Sequence, residues 1–173
     1  RGGVKVMDFG IAKASDRITS TEAGSLKGKV RYMSPEQADQ TVEDIDTRSD
    51  VYSLGVLLYE LLSGTVPFDP SELRRAGQAE IQRIIREEDP PRPSTRLTTI
   101  EAAKGTKIAD ARGTRISELQ STLRRELEWI PLKALRKART ERYSSAEALG
   151  TDVRRYLTGE PLEAGPESTT YRL

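Results

Sequence analysis

Asp8 stands at the end of a short apolar run, residues 4–7, and is followed by Phe9 and Gly10. A carboxylate held where a strand ends offers the hard oxygen ligands that Mg²⁺ takes, while Phe9 can pack inward and Gly10 can turn the backbone away. The plainer reading is a strand-ending aspartate at a turn. A second group of reactive side chains follows in residues 8–28, which are rich in Ser, Thr, Gly and charge. There a phosphate on Thr19, Ser20, Thr21 or Ser25 could recruit arginines and order the loop; the bland alternative is a solvated, unmodified turn. Other chemistries are closed off. The sequence contains no Cys and no His, which excludes disulfides, thiol nucleophiles, Ser-His-Asp triads and the usual zinc sites.

The elements that must position these residues can be read from pattern. Residues 4–7 read as a short strand, an edge awaiting a partner. Residues 34–39 read as a short helix with Pro35 in its first turn, where a missing N–H costs nothing. Residues 47–63 read as the clearest helix, with Thr47 or Ser49 as N-cap, Asp50 in the first turn and Gly64 as the stop. Its apolar residues occupy nearly every side, so it wants burial all round. Residues 73–88 read as one charged amphipathic helix carrying Ile81, Ile84 and Ile85, ended by an extended connector at Pro90-Pro91-Arg92-Pro93. Residues 94–117 show little periodicity and read as a long polar insertion. Helical spacing returns over 118–137, with Pro131 breaking or kinking it and Trp129 as a core anchor. Residues 144–157 read as the last helix, capped by Ser144 or Ser145. Gly159, Pro161, Gly165 and Pro166 mark 158–173 as an exit linker.

Composition bounds the rest. The 28 basic and 27 acidic residues nearly cancel, and 35% of the 173 residues are hydrophobic, as in a globular piece without the electrostatic footprint of nucleic-acid binding. The most apolar stretch, 51–62, carries Ser53, Tyr59 and Glu60 and is too short to span a bilayer.

Asp8-Phe9-Gly10, Ser34-Pro35-Glu36, Asp50-Val51-Tyr52-Ser53-Leu54-Gly55, Pro67-Phe68, and then Lys133-Ala134-Leu135 with Glu141-Arg142-Tyr143 occur in this order. In that order they resemble the protein kinase motifs from D-F-G through A-P-E to the late motif that supplies an arginine. The resemblance runs from Val4 to about Leu157 and is closest to bacterial serine/threonine kinases of the eukaryotic-like type. Arg83-Ile84-Ile85-Arg86-Glu87-Glu88, Pro90-Pro91-Arg92-Pro93-Ser94 and Thr170-Tyr171-Arg172-Leu173 resemble the large planctomycete-type kinases in particular.

The resemblance implies a mainly α, protein kinase-like fold, C-terminal lobe only: a short strand, an activation segment, then helices. It divides the chain into a partial catalytic domain, 1–157, and a C-terminal linker, 158–173. It implies ATP and Mg²⁺ as cofactors of a complete parent, protein substrates as partners, and transfer of the γ-phosphoryl group to Ser/Thr hydroxyls. Asp8 becomes the metal and nucleotide ligand. Phe9 and Gly10 open the activation segment, whose phosphorylation candidates are Thr19, Ser20, Thr21 and Ser25. Glu36 pairs with Arg142, and Asp50 resembles the family's buried aspartate that supports the catalytic loop, a role whose partners are missing here; the plainer reading is a helix N-terminal charge. The family's Gly-rich loop, strand lysine and H-R-D loop have no counterpart here, so the N-lobe and the catalytic aspartate are expected upstream on the same parent, and this chain alone is expected inactive. A cytoplasmic kinase domain with a membrane anchor or interaction region downstream is the expected setting. Where serine/threonine kinases show G-T-x-x-Y, this sequence has Gly28-Lys29-Val30-Arg31-Tyr32, and lysine supplies no hydroxyl. That residue motivates the alternative of a pseudokinase or docking scaffold.

Overall fold

Ser34 begins the first α-helix among the described residues of the computed structural model by accepting a hydrogen bond at Oγ from the Gln37 amide, while its own amide donates to the Gln37 side chain. This reciprocal cap satisfies two end groups of a very short helix, α1, Pro35–Ala38. The structure describes residues 30–166, apart from 40, 42, 43, 70–72, 74 and 101 and the side chains of 102 and 103. The strand expected at 4–7 lies outside the described residues. Among those described, the chain is mainly helical and has no strand.

The second helix, α2, Arg48–Ser63, is the axis of the fold. Thr47 occupies its cap position without a side-chain bond, and Ser49 lies inside the helix; the Asp46 carboxylate instead accepts from the Arg48 amide at 2.8 Å. Gly64 ends it in the left-handed conformation, φ +72°, where a Cβ would also lie 2.7 Å from Ile108. Either constraint alone favours glycine. Val51, Tyr52, Val56 and Tyr59 form its buried face, whereas Leu54, Leu57 and Leu61 remain 39%, 44% and 62% exposed. Among the described residues, one side of this apolar helix therefore lacks full cover.

Beyond it, the helix expected at 73–88 is broken. Gly77 sits in extended backbone and caps a shorter α3, Gln78–Glu87, with Ile85 as its buried residue. Pro93 does not extend the connector but opens α4, Pro93–Thr99, as a first-turn proline. The supposed polar insertion is also helical: α4 is followed by α5, Ala102–Asp110, and α6, Ile116–Thr122. These short helices form a small core of their own from Leu97, Ile108, Leu119 and Leu123, with Ile100 and Ile116 against it.

α6 runs into a π-helical turn, Leu123–Leu127, before α7, Trp129–Ala134. Pro131 has no N–H to offer the Leu127 carbonyl, and the irregular turn ends at that residue, four positions before the proline. Trp129 is half-buried beside the main core rather than at its centre. That core joins Val51 of α2 to Ile130 and Ala134 of α7, to Tyr143, and to Leu149 of α8, Ala146–Thr158. Ser145 caps α8 through the Ala148 amide at 3.1 Å. Gly55 of α2 lets α7 approach, since a Cβ there would lie 2.7 Å from that of Ala134.

The exit segment departs from the expected linker as far as the described residues go. Leu162 is buried, and the Asp152 carboxylate accepts from the Glu163 and Ala164 amides at 2.6 and 2.9 Å. The same carboxylate accepts from the Tyr143 hydroxyl at 2.7 Å.

Candidate functional site

Glu36 reaches the site because Ser34 and Pro35 start α1 immediately before it, and the helix directs its carboxylate to the beginning of α2. Arg142 arrives from the far end of the chain, just after a 3-10 turn, Arg139–Glu141. Arg142 Nη1 donates to Glu36 Oε1 and Nη2 to Oε2, both at 2.8 Å, and the residues are 4% and 5% exposed. The remaining guanidinium hydrogens go to backbone carbonyls: Nε to Arg136 at 2.7 Å, Nη1 to Arg48 at 3.0 Å and Nη2 to Lys137 at 3.0 Å. All five donors are used.

Ser49 Oγ donates to Glu36 Oε1 at 2.5 Å, and the Arg142 guanidinium lies 5.0 Å from the centre of the Tyr52 ring. Burial pushes the Glu36 carboxyl up, but the hydrogen bonds from Arg142 and Ser49 outweigh it and hold the group below its ordinary value. Burial pushes the Tyr52 hydroxyl up. The node binds α1, the start of α2 and the segment after α7 into one piece. Its groups are acceptors and donors already satisfied by one another, so it fastens; it offers no free nucleophile or base.

Next to it, Lys137 Nζ donates to the Ile85 carbonyl at 2.6 Å, at the C-terminal end of α3, and lies 5.0 Å from the centre of the Phe68 ring. Burial lowers its pKa to about 8. On the other side of α1, the Tyr32 hydroxyl donates to Glu60 Oε2 at 2.7 Å, and Ser53 Oγ to the Tyr32 carbonyl at 2.8 Å, so α2 also holds the turn that precedes α1.

Of the residues singled out in the sequence, the structure brings Glu36 and Arg142 together. Asp50 lies exposed in the first turn of α2, as a helix N-terminal charge, while Ser49 points into the Glu36 node. Asp8, Phe9, Gly10, Thr19, Ser20, Thr21, Ser25 and Lys29 lie outside the described residues. Sequence reasoning missed Ser49, taken for a cap, and two buried acids. Glu128 is fully buried, accepting from Arg92 Nη1 at 3.0 Å and the Ser94 amide at 3.2 Å. Asp152 is the clasp described above; its place three residues after Leu149 and four before Tyr156, on the apolar side of α8, was the available signal. Among the described residues no group of three or more His, Cys, Asp or Glu could hold a metal ion, and no helix is long and apolar enough to cross a membrane.

The sequence profile of the protein kinase domain matches residues 1–153. The chain is 35% identical over 162 residues to the serine/threonine-protein kinase PknB of Mycobacterium leprae, an alignment covering 93% of this chain and 21% of that protein. It is 36% identical over 165 residues to a probable serine/threonine-protein kinase, SCO3848, of Streptomyces coelicolor, covering 94% of this chain and 20% of the relative. It is also 38% identical over 120 residues to the tyrosine-protein kinase MasK of Myxococcus xanthus, covering 59% of this chain and 18% of that protein. The chain thus spans about a fifth of the length of the curated relatives it matches. Helices assembled around a buried acid–arginine pair, together with a domain profile that covers most of the sequence, establish that this chain belongs to the protein kinase domain family.

Proposed function

We propose that this chain is the C-terminal-lobe part of a bacterial, planctomycete-type protein serine/threonine kinase, beginning just before the D-F-G motif. The observation that carries this reading is the Glu36–Arg142 node, which ties Ser34-Pro35-Glu36 to the late helices as the kinase motifs imply. In the complete parent the reaction is transfer of the γ-phosphoryl group of ATP to Ser or Thr hydroxyls of protein substrates, with the N-lobe and the catalytic-loop aspartate supplied upstream. The described residues supply no metal site; Asp8 is assigned the Mg²⁺ and nucleotide role on its motif alone. Activation-segment phosphorylation is assigned to Thr19, Ser20, Thr21 or Ser25, and the kinase domain is assigned to the cytoplasm.

The test is Asp8→Asn in the full-length protein, assayed with ATP, Mg²⁺ and a protein acceptor. The expected outcome is a correctly folded protein that has lost most phosphoryl transfer, since the amide weakens metal binding at nearly constant volume. Near-normal turnover would reject the assignment. Lys29 favours a second reading, a pseudokinase or docking scaffold, which predicts no transfer in the unmutated full-length protein either.

A further inference from the structure

Tyr143 follows Arg142 directly in the chain, and the groups around it belong partly to the exit segment. Its ring is fully buried in the core that also takes in Leu162, with Lys133 Nζ 5.1 Å from the ring centre. The hydroxyl donates to Asp152 Oδ2 at 2.7 Å, and the same carboxylate accepts from the Glu163 and Ala164 amides. Burial, and then the Asp152 acceptor, push the hydroxyl pKa up, so it stays a donor. Lys133 reaches across to the exit segment as well, donating to the Glu163 carbonyl at 3.3 Å and to Glu163 Oε1 at 3.0 Å. Residues 162–164 thus engage three of the things that hold Tyr143 in place: the core around its ring, its acceptor and the cation beside it.

One peptide bond away, Arg142 spends all five donors on Glu36 and three backbone carbonyls, so it can shift little without losing a bond. Asp152, Tyr143, Arg142 and Glu36 are all buried, where a lost partner is not readily replaced by water. We infer that residues 162–164 form a strap that sets how firmly Arg142 holds Glu36, with Asp152 and Tyr143 as positioning residues between them, so that release of the exit segment loosens α1. The strap is suited to release. Its ion pair joins a Glu163 side chain 44% exposed to a Lys133 side chain 24% exposed and contributes little in water. Leu162 is its one fully seated side chain, whereas Ala164 is half-buried. Because α1 carries Ser34-Pro35-Glu36, a consequence for phosphoryl transfer rests on the kinase reading above; the coupling itself rests on these contacts alone.

The experiment follows backbone hydrogen exchange by mass spectrometry in the full-length protein without nucleotide. Ala164→Pro removes one amide from Asp152, and Leu162→Ser removes the buried anchor; both leave Tyr143, Asp152 and Arg142 as they are. In each variant, exchange over 34–49 and 139–145 is expected to quicken about tenfold, within the range that one link of such a chain carries. Residues 97–123, which have a core of their own, should keep the exchange of the unmutated protein. Tyr143→Phe keeps the ring and removes the hydroxyl, so in that background adding Ala164→Pro should change exchange over 34–49 by less than about twofold. Unchanged exchange over 34–49 in both strap variants would overturn the inference. Equal acceleration everywhere, 97–123 included, would also overturn it, since the strap would then contribute only to overall stability. A full tenfold effect persisting in the Tyr143→Phe background would overturn the route through that hydroxyl. Phosphoryl transfer is measured separately on the same proteins. A parent that transfers no phosphate yet shows the expected exchange would reject the kinase reading and leave the strap standing; a parent that transfers phosphate but shows unchanged exchange would do the reverse.

Discussion

Arg142 has no hydrogen left to donate, and that governs what its loss would do. Arg142→Ala is expected to destabilise the lobe by about 3–5 kcal/mol, since it orphans a buried carboxylate and three carbonyls at once. Chemical denaturation of the two proteins checks this, and a difference within about 1 kcal/mol would be incompatible with a buried pair. The pH dependence has a definite sign. Glu36 is held below its ordinary value, so its contribution is complete above the ordinary carboxylate range and is lost as pH falls through that range towards the lowered folded value. In Arg142→Ala the orphaned acid can take up a proton, so the gap between variant and parent should narrow on acidification. Lys137 behaves oppositely. Its folded pKa of about 8 lies below the usual 10.5, so between those values the unfolded chain binds more protons and stability should rise with pH. Across that window the melting temperature of the unmutated chain should rise relative to that of Lys137→Met.

At the level of elements, close approach makes single methyl groups decisive. Gly55→Ala would place its Cβ 2.7 Å from that of Ala134, forcing α2 and α7 apart at a cost of about 1–3 kcal/mol. A thermal melt unchanged by the substitution would mean that the two helices do not meet there. The positions of α1, α2 and α8 were legible because their ends carry strong local signals: Pro35 in a first turn, Gly64 as a stop, and Ser145 as a cap. The run from Leu97 to Leu123 was not. Each of its short helices offers only one or two apolar residues, too few for a helical period to emerge, and Leu97, Ile108, Leu119 and Leu123 become a core only once three helices fold on one another. Gly77 falls inside the run that reads as one helix over 73–88, and in the structure it caps a new helix instead. Of the site, the pairing of Glu36 with Arg142 could be expected from the motif resemblance, but not from spacing. The burial of Glu128 and Asp152 depends on partners that only the tertiary fold supplies.

For the whole molecule, the uncovered stripe of Leu54, Leu57 and Leu61 decides how the chain behaves by itself. Residues 1–173 alone are expected to self-associate through this stripe. Sedimentation velocity should show mass increasing with concentration, and Leu57→Glu with Leu61→Lys should return the chain to a monomer. A monodisperse monomer before substitution would show that the stripe is too small to drive association.

The separation of 106 positions between Glu36 and Arg142 also sets a clock on biosynthesis. At a ribosomal rate of ~5–20 residues per second, Glu36 is made about 5–20 s before its partner, and longer before that partner clears the exit tunnel. Throughout that interval α1 has a capped helix end but no guanidinium to hold it. A nascent chain stalled before residue 142 should therefore be cut by protease around 34–49, and one released beyond it should resist.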